Sequence, residues 1–148
     1  MEIGKLSRIL VAIDGSENSM DAADYGISLS KADNAELIVI NIIHTPASAL
    51  TFYGESSFIE FIKKSKSDAE EWFGKIRKKA SEHGVQVKTE VMEEIQSIPA
   101  AIVNYAQDKK ADLIIVGTRG RTGFKRLLLG SVARDVVTYA GIPVMVVK

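Results

Sequence analysis

An α/β domain, with a mostly parallel sheet covered by helices on both faces, is the fold class this sequence predicts. Three observations carry that expectation. Four short runs rich in Ile and Val are apolar almost throughout, which is how strands buried on both faces read. The segments between them place apolar residues at helical spacing. Strand-like and helix-like segments also alternate through the chain, an order that builds parallel sheets through right-handed crossovers.

The elements follow in order. Residues 9–13 (ILVAI) form the first strand, and Met20, Ala23, Ile27 and Leu29 mark the first helix. Residues 37–43 form the second strand. The next stretch, 45–57 (TPASALTFYGESS), has no clear periodicity and is expected to be a loop. A loop of that length is either functional or a variable surface excursion. Phe58, Ile62, Ala69, Trp72, Phe73, Ile76 and Ala80 then mark a long second helix ending near Gly84. Residues 85–91 (VQVKTEV) alternate apolar and polar, so this strand belongs at an edge or half-exposed position. Ser97 is placed to cap a third helix, with Pro99 in its first turn, running to about Lys110. Residues 113–116 form the fourth strand. A fourth helix follows Ser131 and stops at Gly141-Ile142-Pro143, and residues 144–147 close the chain as a last strand.

Composition narrows the function classes. The chain has 148 residues, enough for one domain that buries roughly 70% of its unfolded surface. Lys plus Arg number 19 and Asp plus Glu number 19, a net charge of zero. That balance argues against a protein built to coat nucleic acid or an anionic membrane. Cysteine is absent, so disulfides, thiolate metal sites and cysteine nucleophiles are excluded. His44 and His83 are the two histidines, too few for the usual His-rich zinc site. The first residues carry charges and no long apolar stretch, so no signal peptide is expected. A cytoplasmic, single-domain protein spanning residues 1–148 is the expectation.

The most informative stretch leaves the fourth strand: Gly117-Thr-Arg-Gly120-Arg-Thr-Gly123-Phe-Lys-Arg-Leu-Leu-Leu-Gly130-Ser131. Four glycines in fourteen residues allow close backbone approach, so successive N–H groups can converge on an anion. The helix starting near Ser131 adds free N–H groups and a favourable dipole. Ser131 can cap that helix or donate to a phosphate oxygen. Arg119, Arg121, Lys125 and Arg126 bring positive charge. Neither GxxxxGK[ST] nor GxGxxG can be written across the stretch. On spacing alone, a phosphate cradle and an ordinary Gly-rich turn with solvated cations both remain open.

A second fragment bears on that choice. The first strand ends in Ala12-Ile13-Asp14-Gly15-Ser16, an acidic residue in a tight turn entering a helix. If strands one and four are neighbours, Asp14 faces the Gly117 loop across the crevice of a doubly wound sheet. A carboxylate there suits a ribose hydroxyl, an adenine edge or a phosphate-bound metal. The alternative for Asp14 is an Asx-turn or a helix cap. His44 follows the second strand and is more simply a solvated or capping residue than a general base. His83, at a helix end, is explained by the helix C-terminus.

These residues resemble a known family. Gly117-x2-Gly120-x9-Gly130-Ser131 matches the G-x2-G-x9-G-[ST] ATP-binding signature of the universal stress protein family. The likeness runs along nearly the whole chain, through ILVAIDGSENS, ELIVINIIH, ADLIIVGTRG and GIPVMVVK. It implies a Rossmann-like, doubly wound, five-stranded parallel sheet of order 3-2-1-4-5 and membership of the ATP-binding branch. On that resemblance Asp14 meets the nucleoside and the backbone at Ile42 meets adenine. Gly117 lies near ribose and the α-phosphate, and Gly120, Gly130, Ser131 and Val132 lie around the phosphates. Arg119 is counted with the site as a cation of the same loop. Family members often carry Pro where this chain has Ala12, and often Ser-His where it has Thr118-Arg119.

The implied cofactor is ATP, or AMP or ADP, with Mg2+ or Mn2+ bound through the phosphates and Asp14 the candidate carboxylate. Efficient phosphoryl transfer needs a held metal and an oriented nucleophile, and no pair of carboxylates lies near the signature. A nucleotide-dependent regulator of the stress response with at most slow hydrolysis is therefore expected. The alternative is an enzyme that adenylates or phosphorylates a small substrate, although Asp14-Gly15-Ser16-Glu17-Asn18-Ser19 is not the SGGxDS loop of ATP pyrophosphatases. A purely structural dimeric module gives no physical reason for the intact signature. The resemblance also implies a homodimer through the last strand, Val144–Val147. The long helix and the segment before it, with Phe52 and Tyr53, are the expected surface for a regulatory protein partner or a lid.

Overall fold

A computed structural model describes residues 3–118 and 129–148. Among the described residues nine elements alternate: β1 (Arg8–Ala12), α1 (Glu17–Asp33), β2 (Glu36–His44), α2 (Ala47–Glu82), β3 (Val87–Glu94), α3 (Ile98–Asp108), β4 (Leu113–Gly117), α4 (Ser131–Tyr139) and β5 (Val144–Val147). The sheet is parallel throughout, in the order β3-β2-β1-β4-β5. β1 lies at the centre, with Leu10 opposite Ile38 on one side and Ile114 on the other.

Strand parity divides the core into two layers. Ile9, Val11 and Ile13 of the first strand region face one side, joined by Ala22, Ala23 and Ile27 of α1 and Phe73 and Ile76 of α2. Leu10, Ile38 and Ile40 face the other side, joined by Ile102 of α3 and Ala133 and Val136 of α4. Successive side chains of a strand point to opposite faces, so β1, β2 and β4 must be apolar at nearly every position. That is why they read as unbroken runs.

Local chemistry sets the helix ends. Ser16 caps α1, its hydroxyl accepting from the Ser19 N–H, and Glu17 lies favourably in the first turn. Ser97 caps α3 by accepting from the Ala100 N–H, with Pro99 in the first turn, as expected. That helix ends at Asp108, slightly earlier than its pattern suggests, because Lys110 takes a left-handed conformation (φ 55°). The α2 terminus is closed by Gly84 (φ 73°) and by Val85 N–H donating to the Ala80 carbonyl at 2.8 Å. Val85 is thus spent on the helix end, and β3 starts at Val87 and runs on to Glu94. Its alternating burial suits an edge strand.

One expected loop is a helix. α2 begins at Ala47, after the N-cap Pro46, and residues 47–57 form its first turns, broken at Gly54 (φ 78°, ψ 163°). Leu50, Phe52 and Tyr53 are all exposed there. Hydrophobic periodicity arises only when a helix has a face to bury, and these turns bury none.

Candidate functional site

The chain leaves β1 and β4 in opposite directions. β1 leads to α1 on one face of the sheet, and β4 returns through α4 on the other. Between two such neighbouring strands a crevice opens at their carboxyl ends, the usual place for a ligand in this architecture. Asp14 lies on one lip, and Gly117, Thr118 and Gly130 lie on the other.

The Asp14 lip is a set of short hydrogen bonds. The Asp14 carboxylate Oδ1 accepts from the Ser16 N–H at 2.9 Å, an Asx-turn. Asp14 N–H donates to Ser19 Oγ at 3.2 Å, and Ser19 Oγ donates to the Ser16 carbonyl at 2.9 Å. Gly15 between them has φ 82°, and a Cβ there would collide with the Trp72 ring. Behind the lip, Ile13 N–H donates to the Ile40 carbonyl at 2.9 Å, and buried Asn41 Nδ2 donates to the Ile13 carbonyl at 2.8 Å. Ile42 follows on β2, partly buried and paired with Met92.

The Gly117 lip is built on contact with α1. A side chain at position 117 would come within 2.9 Å of Asn18 Cβ and 3.0 Å of the Ser19 nitrogen. Glycine therefore lets β4 end directly against the first turn of α1. Thr118 is buried and bonds in three directions. Its N–H donates to the Val147 carbonyl at 2.8 Å, its carbonyl accepts from Gly130 N–H at 2.6 Å, and its Oγ1 accepts from Asn18 Nδ2 at 2.8 Å.

Gly130 is the N-cap of α4 and Ser131 its first helical residue, so the Ser131 hydroxyl does not occupy the capping position. Because Gly130 has no side chain, the N-cap residue itself supplies no side-chain hydrogen bond here, unlike Ser16 of α1 and Ser97 of α3. The first N–H groups of a helix have no intrahelical partners, and here they belong to Ser131, Val132 and the residues after them. Of the eight site residues expected from the sequence, Asp14, Ile42, Gly117, Gly130, Ser131 and Val132 lie at these strand and helix ends. Arg119 and Gly120 lie outside the described residues, as do Arg121, Gly123, Lys125 and Arg126.

Asn18, Asn41 and Thr118 were not expected as site-building residues. Asn41 carried a signal, a polar side chain inside an apolar strand run. Asn18 and Thr118 carried none, since their contact joins positions 100 residues apart. His44 places Nε2 3.3 Å from the Ile95 carbonyl, and His83 Nδ1 lies 2.8 Å from the Lys79 carbonyl at the end of α2.

A second cleft, about 590 Å³, lies at the amino-terminal ends of β1, β2 and β3 and includes Arg8, Glu36, Lys88, Glu90, Tyr105 and Lys109. Three of its charges pair with one another. Glu36 bridges Lys88 at 3.0 Å and Arg8 at 3.2 Å, and the Tyr105 hydroxyl donates to Glu90 at 2.6 Å. The hydrogen bond from Lys88, with further help from Arg8, holds the Glu36 carboxyl below its usual range against the opposing effect of burial. Burial first, and then Glu90, pushes the Tyr105 hydroxyl well above its usual range. Among the described residues, no group of three or more His, Asp or Glu side chains is placed to hold a metal ion. None of the described helices is long and apolar enough to cross a membrane.

The sequence model described as "Universal stress protein family" matches residues 5–148. Universal stress protein MJ0531 of Methanocaldococcus jannaschii is 40% identical over 143 residues, covering 95% of this chain and 81% of that protein. Universal stress protein YxiE of Bacillus subtilis is 34% identical over 149 residues, covering 96% and 99%. Among solved structures, hypothetical protein MJ0577 superposes with a TM-score of 0.80 at 29% identity, covering 96% of this chain and 95% of that one. The same fold occurs in an Archaeoglobus fulgidus universal stress protein in complex with dAMP, with a TM-score of 0.68, 22% identity and coverage of 96% and 98%. It occurs again in a universal stress protein in complex with cAMP, with a TM-score of 0.67, 23% identity and coverage of 97% and 98%.

Proposed function

The chain belongs to the universal stress protein family, and on that premise we propose that its crevice binds an adenine nucleotide, ATP in particular. The protein then works as a cytoplasmic, nucleotide-dependent regulator of the stress response. One observation carries the reading: Gly117 lies bare against α1 while Gly130 N–H is bonded to Thr118, so two glycines of the signature meet at the switch point. The start of α4 there, whose N-cap Gly130 brings no side chain, favours an anion. The adenine class draws support from the dAMP and cAMP held by two proteins of the same fold.

In this reading Asp14 receives the ribose hydroxyls and the backbone at Ile42 meets adenine. Gly117 lies beside ribose and the α-phosphate, and Gly130, Ser131 and Val132 offer N–H groups to the phosphates. Arg119 and Gly120 join the phosphate side on the sequence signature. Mg2+ or Mn2+, bound through phosphate oxygens, neutralises phosphate charge, and Asp14 is the carboxylate of this lip that could reach it. A single carboxylate suits binding and slow hydrolysis better than fast phosphoryl transfer.

A second copy of the chain completes the reading. The Pro143 carbonyl accepts from the Ile114 N–H of β4 at 3.1 Å, and the Val147 carbonyl from the Thr118 N–H just after β4 at 2.8 Å. In a parallel ladder alternate residues bond to opposite sides, so the backbone groups of Val144 and Val146 point to the outer edge. β5 has no partner strand on that edge among the described residues, and a bare apolar edge favours pairing with another strand.

Nucleotide released by denaturing the purified protein, identified by mass spectrometry, tests the ligand class. Adenine nucleotides near one equivalent per chain are expected. A protein that carries none and takes up none from Mg-ATP would contradict the proposal.

A further inference from the structure

We propose that Asn18 and Thr118 are a positioning pair that fixes the distance between the nucleoside lip and the phosphate lip of the crevice; this rests on the nucleotide-binding reading above. Asn18 belongs to the first turn of α1, the turn to which Asp14 is tied through Ser16 and Ser19. Thr118 belongs to the opposite lip, where its backbone is bonded to Val147 on β5 and to Gly130 at the start of α4. The 2.8 Å bond from Asn18 Nδ2 to Thr118 Oγ1 is a direct side-chain bridge between the two lips.

Gly117 makes that bridge possible. With Asn18 Cβ and the Ser19 nitrogen only 2.9 and 3.0 Å from where a Cβ would sit, any side chain at 117 would push α1 away. The glycine therefore has a second use besides approach to a ligand, which is to let Asn18 reach Thr118. Both ends of the bridge are held by backbone bonds, so the amide and hydroxyl meet without ordering a loose segment, and little of the bond's worth is lost to entropy.

A bridge between lips acts on ligands that touch both. ATP spans from the Asp14 lip past Gly117 to Gly130 and the start of α4, whereas adenosine stops at its ribose, beside Gly117. Loss of the bridge lets the lips separate, which weakens the phosphate-bearing ATP more than adenosine. A residue that merely stabilised the fold would weaken both alike.

Calorimetric titration of the full-length protein with Mg-ATP and with adenosine tests this, using Asn18→Ala, Thr118→Val, the double variant and Thr118→Ser. Thr118→Val keeps the side-chain shape, and Asn18 is only partly buried, so thermal melts should show folded proteins. Each single variant is expected to bind ATP about fivefold to tenfold more weakly, the worth of one hydrogen bond. The double variant should be no weaker than a single one, and Thr118→Ser, which keeps the hydroxyl, should restore affinity to within about twofold. Adenosine affinity should stay within about twofold in all. Unchanged ATP affinity in folded single variants, equal losses for ATP and adenosine, or additive losses would overturn the pair while leaving the nucleotide reading intact. Failure of the unmodified protein to bind either ligand would overturn both.

Discussion

The Trp72 ring occupies the space a side chain at Gly15 would need, one residue after Asp14. A residue of α2 thus braces the turn after β1. Gly15 has φ 82°, so Gly15→Ala meets both backbone strain and a clash with a rigid ring. A loss of about 2 to 4 kcal/mol in urea unfolding is expected. A variant within about 0.5 kcal/mol of the unmodified protein would mean the turn is not held as described.

The same contact supplies a probe. The chain has one tryptophan, and it lies against the turn that carries Asp14. Ligand engagement of Asp14 should therefore shift Trp72 emission saturably, with the midpoint at the calorimetric Kd. Bound nucleotide with no change in Trp72 emission would place the ligand away from this lip.

Asn41 is the buried polar residue behind Asp14, and its amide satisfies the Ile13 carbonyl. Asn41→Leu leaves that carbonyl buried without this partner, at a cost of about 1 to 3 kcal/mol. Denaturant midpoints would check it, and an unchanged midpoint would show that the Ile13 carbonyl does not depend on the amide.

Much of the fold was legible because burial leaves a pattern. β1, β2 and β4 are covered on both faces, and α1, α3 and the later turns of α2 each have a buried face. The first turns of α2 have neither signature, since Phe52 and Tyr53 point to solvent, and so they read as a loop. Glycine spacing and the acidic turn located the site because both reflect local backbone needs. The bonds that hold its lips together, Asn18 to Thr118 and Asn41 to Ile13, depend on sheet register and become visible only once the strands are paired.

Glu36 makes stability depend on pH in a definite direction. Its carboxyl is held below its ordinary value of 4.5, chiefly by Lys88. Its contribution is fully present above that value and is lost as pH falls through the lower folded-state value. Glu36→Gln should melt at lower temperature than the unmodified protein at neutral pH, and the gap should narrow as pH falls below 4.5. A gap independent of pH would show that charge is not the cause.

The outward N–H of Val146 gives a direct handle on assembly. Val146→Pro removes that donor while sparing the bonds from β5 to β4, since proline is tolerated on an edge strand. Light scattering at micromolar concentration should give a dimer mass for the unmodified protein and a monomer mass for the folded variant. A monomer in both, or a dimer in both, would contradict pairing through β5.

Thermal unfolding in Mg-ATP tests nucleotide binding most directly, because a ligand that binds only the folded state must stabilise it. At 100 times its Kd, ATP should add about 2.7 kcal/mol and raise the Tm, with a concentration dependence that matches calorimetry. A melting temperature unchanged in millimolar Mg-ATP, with no heat of binding, would contradict the reading of this crevice as a nucleotide site.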